Sequence, residues 1–216
     1  MDRSIQPAEI RALVGRDDPV ILEIGANDGQ DSQKFLAEFP GLRLFCFEPD
    51  PRPLRRFRRR IADARCELIE AALSDADGEA PWWQSSGWQP NDPAGDGNYD
   101  LSSSLLPPAR HLEISPWLTF PRKITVRTLR LDTWLAGRPD IERVDFVWAD
   151  VQGAEAKLIR GGGPQWSRVH YLYTEFADVA LYEGQPDRQA ILDLLPGFRL
   201  REVYDNNLLL ENAAHV

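Results

Sequence analysis

Apolar runs bounded by turn residues alternate along the chain with stretches whose apolar positions recur at helical spacing. PVILEIGANDG reads as a buried strand running into glycines, and LRLFCFEPD as a second strand closed by an acid and a proline. CELIEAAL reads as a third strand, followed by the turn-like SDADG. KITVRTLRLDTWL gives a strand and then a short helix. RVDFVWADV and VHYLYTEFA are further strands with acids at their ends. Helices are expected over 7–14, over 30–38 with Phe35, Leu36 and Phe39 on one face, and in PRPLRRFRRRI. Two more are expected from Glu155 to the run Gly161–Gly163 and near Arg188–Leu195. FRLREVY and NLLLEN close the chain as strands joined at Asp205-Asn206-Asn207, a hairpin that gives the sheet an antiparallel edge strand. This alternation predicts one α/β domain over 1–216, a doubly wound, mostly parallel sheet with helices on both faces.

Residues 81–123 interrupt the pattern. Proline, glycine, serine, asparagine and tryptophan are frequent there and no period holds, which predicts a long loop with short ordered pieces. Trp82, Trp83, Trp88 and Trp117 argue against a disordered linker. With Tyr99 and the serines Ser102, Ser103 and Ser104, they predict a cover over a substrate site; anchoring of a structural loop is the competing expectation.

A length of 216 residues suits one domain, and a net charge of -9 argues against a general nucleic-acid binder. The two cysteines, Cys46 and Cys66, lie in apolar runs and read as buried free thiols, not a disulfide scaffold or a zinc site. No apolar run approaches the ~20 residues that span a bilayer, and MDRSIQPAEI lacks a signal-peptide pattern. A cytoplasmic protein without membrane or nucleic-acid partners is the expectation; its oligomeric state is not legible.

The chemistry gathers at strand ends. Glu48, Asp150 and Glu175 all fall at or just after them, on the rim where open α/β sheets bind ligands. The first strand adds Glu23, Gly25, Asn27, Asp28 and Gly29. Glu48 lies 23 residues beyond Gly25, a spacing at which an acid accepts bonds from ribose hydroxyls of a dinucleotide or of S-adenosylmethionine. The glycines separate the two. G-x-G-x-x-G is missing, as is G-x-x-x-x-G-K-[ST], so a cofactor without phosphates fits better. Glu23 and Asp28 also suit a cationic sulfonium ligand with an ammonium group.

The pieces ILEIGANDG, FCFEPD, AALSDADG, TLRLDTW and VDFVWADVQGAEAKLIRGG occur in that order, from Ile21 to the glycine run 161–163. In combination they make the chain resemble the FkbM-like methyltransferases. The resemblance implies an S-adenosylmethionine-dependent methyltransferase fold and O-methylation of a small molecule such as a sugar or natural product. It implies that Gly25 and its loop line the methionine portion, that Glu48 holds the ribose, and that Ala71, Ala72 and Leu73 approach the adenine. It places Asp150 toward the reaction centre. Gln152 departs from the family pattern D-V-E-G-x-E, and Trp148-Ala149 stands where a lysine and an apolar residue are common.

Methyl transfer to a hydroxyl needs a positioned acceptor and benefits from a base. Asp150 is the first candidate and Glu175 the second, with His111 able to reach over from the tryptophan-rich segment. Glu155 opens a helix and equally favours its positive end. His170 reads as structural, and His215 lies near the terminus. Convergence of Asp150 and Glu175 would offer oxygen ligands of the kind magnesium takes, but no compact ligand motif is present and no metal is predicted. Six arginines between Arg52 and Arg60 read as a solvated helix face, with an anionic partner as the alternative. Three other functions remain open at this stage: a noncatalytic cofactor-binding or assembly protein, a methyltransferase acting on a macromolecule, and a nicotinamide oxidoreductase.

Overall fold

The computed structural model describes residues 4–90 and 97–215. Its main sheet is formed by β1 (Val20–Ile24), β2 (Arg43–Phe47), β3 (Cys66–Ile69), β7 (Val144–Ala149), β8 (Val169–Glu175), β9 (Phe198–Tyr204) and β10 (Asn207–Asn212). A smaller sheet is formed by β4 (Ala72–Leu73), β5 (Gly78–Gly87) and β6 (Leu118–Leu129). The main order is β3-β2-β1-β7-β8-β10-β9. The first five of these strands pair in parallel, and β10 runs antiparallel to both its neighbours. The expected hairpin is therefore present, and the reversed strand β10 sits one place in from the edge. Asp205, at φ 40, makes the tight turn between β9 and β10.

Successive side chains of a strand point to opposite faces, and the two large apolar clusters divide accordingly. Leu22, Ile24, Phe45, Phe47, Val147 and Leu172 share one cluster with residues of α5 (Leu131–Ala136), α6 (Glu155–Gly162) and α7 (Arg188–Leu194). Ile21, Leu44, Cys46, Phe146 and Tyr171 join the other, with residues of α1 (Pro7–Val14), α2 (Gln30–Glu38) and α3 (Pro51–Arg60). Runs apolar at every position are what two covered faces require.

CELIEAAL is not one strand. It breaks after Ile69, where the Ala71 N–H donates to the Ile69 carbonyl at 2.9 Å, and Ala72–Leu73 crosses to the smaller sheet beside β6. The expectation of a long irregular stretch over 81–123 also needs correction. β5 and β6 make an extended antiparallel pair, and a short helix, α4 (His111–Ile114), lies between them. Residues 91–96 of that stretch lie outside the described residues. The smaller sheet buries Trp82 and Val126 with Ala72, Leu105 and Ala154, so it packs onto the end of the main sheet. Among the described residues no helix is long and apolar enough to cross a membrane.

Candidate active site

The carboxyl end of β1 is held by its neighbours. The N–H groups of Gly25 and Ala26 donate to the Phe47 carbonyl at 2.9 and 3.0 Å, and the Asp150 N–H donates to the Ile24 carbonyl at 2.9 Å. Gly25 has φ 89, and a Cβ there would lie 1.9 Å from the Asp150 carbonyl oxygen. Glycine is thus demanded by the β7 backbone as well as by any ligand.

A concave site of about 580 Å³ of non-atom space, partly open to solvent, lies beyond these strand ends. Gly25, Asn27 and Glu48 line it on one side and Asp150, Val151 and Gln152 on another. Ala71, Ala72 and Leu73 form an apolar wall with Phe47. Trp82, Asp100, Leu101, Ser103 and Leu105 close it from the smaller sheet and the loop between β5 and β6. Of the expected cofactor residues, Gly25, Asn27, Glu48, Ala71, Ala72, Leu73 and Asp150 come together here.

Glu48 is 4% exposed, and its carboxylate is fixed by backbone. One oxygen accepts from the Asn27 N–H at 3.0 Å and the other from the Asp50 N–H at 2.7 Å. Burial pushes this carboxyl up to about 8; the Asp50 and Asp100 charges add to the rise, while the two backbone bonds oppose it. Asn27 reaches this position with φ 45, and its side chain approaches Asp100 at 3.4 Å.

Asp50 caps α3, accepting from the Arg52 N–H at 2.9 Å. It also accepts from Trp82 Nε1 at 3.2 Å and Gln84 Nε2 at 2.9 Å, and pairs with Arg52. Burial alone would raise its carboxyl, but the bonds from Arg52 and Trp82 leave it below the ordinary value. Arg52 continues to the Ser85 carbonyl at 2.8 Å and Ser103 Oγ at 3.0 Å. Four residues on, Arg56 pairs with Asp100 at 2.7 Å, and Arg60, after another turn, pairs with Asp28. The expected solvated arginine face is therefore corrected for these three. They tie α3 to the loop after β1, to β5 and to the loop between β5 and β6.

The acids at β7 and β8 are held differently. Asp150 faces the open cavity and accepts from Gln152 Nε2 at 2.6 Å. The Tyr182 hydroxyl lies 2.9 Å from Gln152 Oε1 and 2.8 Å from the Ser102 carbonyl. Gln152, at φ 51, thus links Asp150 to the covering segment through side chains. Desolvation in the concavity raises the Asp150 carboxyl, and Gln152 opposes this. Glu175 lies half-buried in an adjacent groove, bonded by the Asn206 amide. Burial, and then the charges of Asp150 and Glu155, push it up to about 8. Glu155 is buried, with Oε2 unpartnered among the described residues; burial and then the Asp150 charge lift it to about 8.

Other expected site residues do not line the cavity. Glu23 is 2% exposed beneath it, accepting from Ser32 Oγ and contacting Cys46 Sγ at 3.4 Å. Asp28 faces Arg60 and Arg56. Gly29 caps α2 against Phe57 and Ile61. His111 is buried, its ring packed on Tyr182 at 4.4 Å and Phe120 at 4.9 Å. Its Nδ1 has no partner among the described residues, and burial lowers its pKa. His170 stacks on Tyr171 at 4.0 Å. Cys46 is buried as expected, whereas Cys66, one strand nearer the edge, is half-buried. Among the described residues no cluster of His, Cys, Asp and Glu has the arrangement of a metal site.

Sequence reasoning missed Asp50, Asp100 and Tyr182. Asp50 before Pro51 carries an N-cap signature that would have marked its local role. Asp100 and Tyr182 sit in irregular segments where no spacing rule marks a residue.

With this geometry in place, the likenesses to known proteins are specific. Residues 23–204 match the methyltransferase FkbM domain. The chain is 43% identical over 194 residues to the 2-O-methyltransferase NoeI of Sinorhizobium fredii, covering 89% of this chain and 77% of that protein. It is 23% identical over 165 residues to Methyltransferase 1 of Beauveria bassiana, covering 75% of this chain and 66% of the relative. The crystal structure of methyltransferase FkbM from Methylobacillus flagellatus superposes with a TM-score of 0.52 at 16% identity. That match covers 90% of this chain and 44% of the other, and it shows the fold alone. The family match extends over both the strand-end acids and the covering sheet, and on it the chain belongs to the FkbM family of methyltransferases.

Proposed function

We propose that the protein transfers a methyl group from S-adenosylmethionine to a hydroxyl of a small molecule such as a sugar or natural product. One observation carries the cofactor reading. The described residues lining the cavity include Glu48, Asp100 and Asp150 but no lysine, arginine or histidine. The charged groups that a pyrophosphate would meet there are all carboxylates, whereas a sulfonium with an ammonium group is a cation. Glu48 is pre-aimed by two backbone bonds and suits a ribose diol; the wall of Ala71, Ala72 and Leu73 suits a flat adenine. The 2-O-methyltransferase relative supports an oxygen acceptor.

In this reading Gly25 and Asn27 line the methionine portion, and Asp150 binds or orients the acceptor hydroxyl. A carboxylate held above its usual range can also take the hydroxyl proton as the methyl group transfers, and Glu175 is the second group placed to do so. Catalysis otherwise rests on alignment of oxygen, methyl and sulfur. The described part of 81–123 is a cover of this site and not a second domain: Trp82, Ser103 and Leu105 face the cavity, and Tyr182 ties the cover to Gln152. His111 packs between Phe120 and Tyr182 beside that cover.

Calorimetry with S-adenosylmethionine and its demethylated product tests the cofactor. Labelled-methyl transfer to a panel of glycosides and phenols tests the acceptor. Absence of binding by either cofactor form would overturn the reading.

A further inference from the structure

A second concavity adjoins the first. It encloses about 770 Å³ of non-atom space, partly open, and Gln152 lines both. It lies beyond the end of β8, the strand next to β7 that carries Asp150. The strand order therefore sets it beside the reaction side of the cofactor cavity, away from Glu48 and the adenine wall.

Its lining has two kinds of surface. Ile114 and Val179 are 56% and 44% exposed, large apolar groups left open to solvent inside a groove. Opposite in chemistry are Glu175, Asp178 and the Asn206 amide. Apolar patches interleaved with carboxylate and amide groups match a ring that carries hydroxyls on its rim and C–H groups on its face. Asp205 adds a third acid, and no described lining residue is basic. An anionic acceptor would enter against these acids with no lining lysine, arginine or histidine to pair with its charge.

We infer that this groove is the acceptor subsite, and that it takes a hydroxyl-rich ring without anionic groups and rejects one bearing phosphate. The inference rests on the methyltransferase reading for its role, but its binding claim is separable. Gln152 lines both concavities, with Asp150 in the lining of the first and Glu175 in that of the second.

Backbone-amide NMR of the full chain tests this, first with S-adenosylhomocysteine and then with methyl α-D-mannopyranoside or D-mannose 6-phosphate at matched concentrations. The expected result is that S-adenosylhomocysteine shifts amides at 25–27, and that the neutral glycoside then shifts amides at 176–182 and 206 while the phosphate does not. The Asp178→Lys variant, changed at an exposed position, should weaken the glycoside about tenfold and admit the phosphate. Its retained response to S-adenosylhomocysteine reports that it is folded. Glycoside shifts absent from the groove, or equal shifts from glycoside and phosphate, would overturn the inference. Groove shifts without any response to S-adenosylhomocysteine would instead overturn the cofactor reading and leave the groove standing.

Discussion

The two ends of the active rim are built by different means. At the β1–β2 end, Glu48 is gripped by the backbone N–H groups of Asn27 and Asp50, and Gly25 is pressed against the backbone of Asp150. At the β7–β8 end, Asp150 is bonded by the Gln152 side chain as well as by its backbone, and Glu175 by the Asn206 side chain. Backbone bonds survive substitution of the residues that provide them; side-chain bonds do not. The contrast fits a site whose cofactor end is fixed by the fold and whose acceptor end is set by exchangeable residues. Gln152 is one such residue, standing where the family commonly has glutamate.

The sharpest way to break the contrast is at Gly25. Gly25→Ala places a Cβ 1.9 Å from the Asp150 carbonyl oxygen at φ 89, so both strain and overlap arise. We expect a loss of about 4 kcal/mol in stability, measured by denaturant unfolding, together with loss of cofactor binding. Asp50→Ala removes the α3 cap and leaves Arg52, Trp82 and Gln84 without their shared acceptor. It should destabilise by about 3 kcal/mol and loosen the cover, read as faster amide exchange across 81–90.

Gln152→Glu sharpens the comparison from the other end. It sets a second carboxylate beside Asp150, whose carboxyl is already raised, and should raise it further. The acidic limb of the pH–rate profile should then move up by about one unit, with cofactor affinity little changed. An unmoved limb would mean that Asp150 is not the group titrating there.

The last effect lies beneath the cofactor end and is read as a pH dependence. Glu23 is raised to about 8, chiefly by burial. Its folded pKa exceeds the unfolded value, so the folded state binds more protons between about 4.5 and 8. The group's contribution is fully present below that window and is lost as pH rises through it. Relative to the wild type, Glu23→Gln should therefore gain stability as pH rises from about 4.5 through about 8, followed by thermal unfolding at both ends of that window.

Much of the main sheet was legible because buried parallel strands read as apolar runs, as in LFCF and FVWA, and because strand-end acids mark one rim. Glu48 could be placed from spacing alone. The smaller sheet was legible only in part: KITVRTL alternates and reads as a strand, whereas β5 and the first half of β6 mix exposed residues such as Glu79, Pro81 and Arg122 among buried ones. Their order comes from pairing across more than thirty residues of chain, which no local period encodes. For the same reason CELIEAAL read as one strand, since its apolar character continues through the crossing between sheets. Glu23 and Asp28 were placed at the ligand because they flank the glycine turn. In the structure their side chains are taken up by Ser32 and by the α3 arginines.

The central claim is that the cavity beside Glu48 binds S-adenosylmethionine through a ribose-accepting carboxylate. The most direct test is titration calorimetry with S-adenosylhomocysteine on the wild-type protein and on Glu48→Ala. The hydrogen bonds between the ribose and Glu48 are lost in the variant, so affinity should fall about 100-fold or more while near-ultraviolet dichroism still reports a packed core. Equal affinity in a folded Glu48→Ala protein would contradict the account.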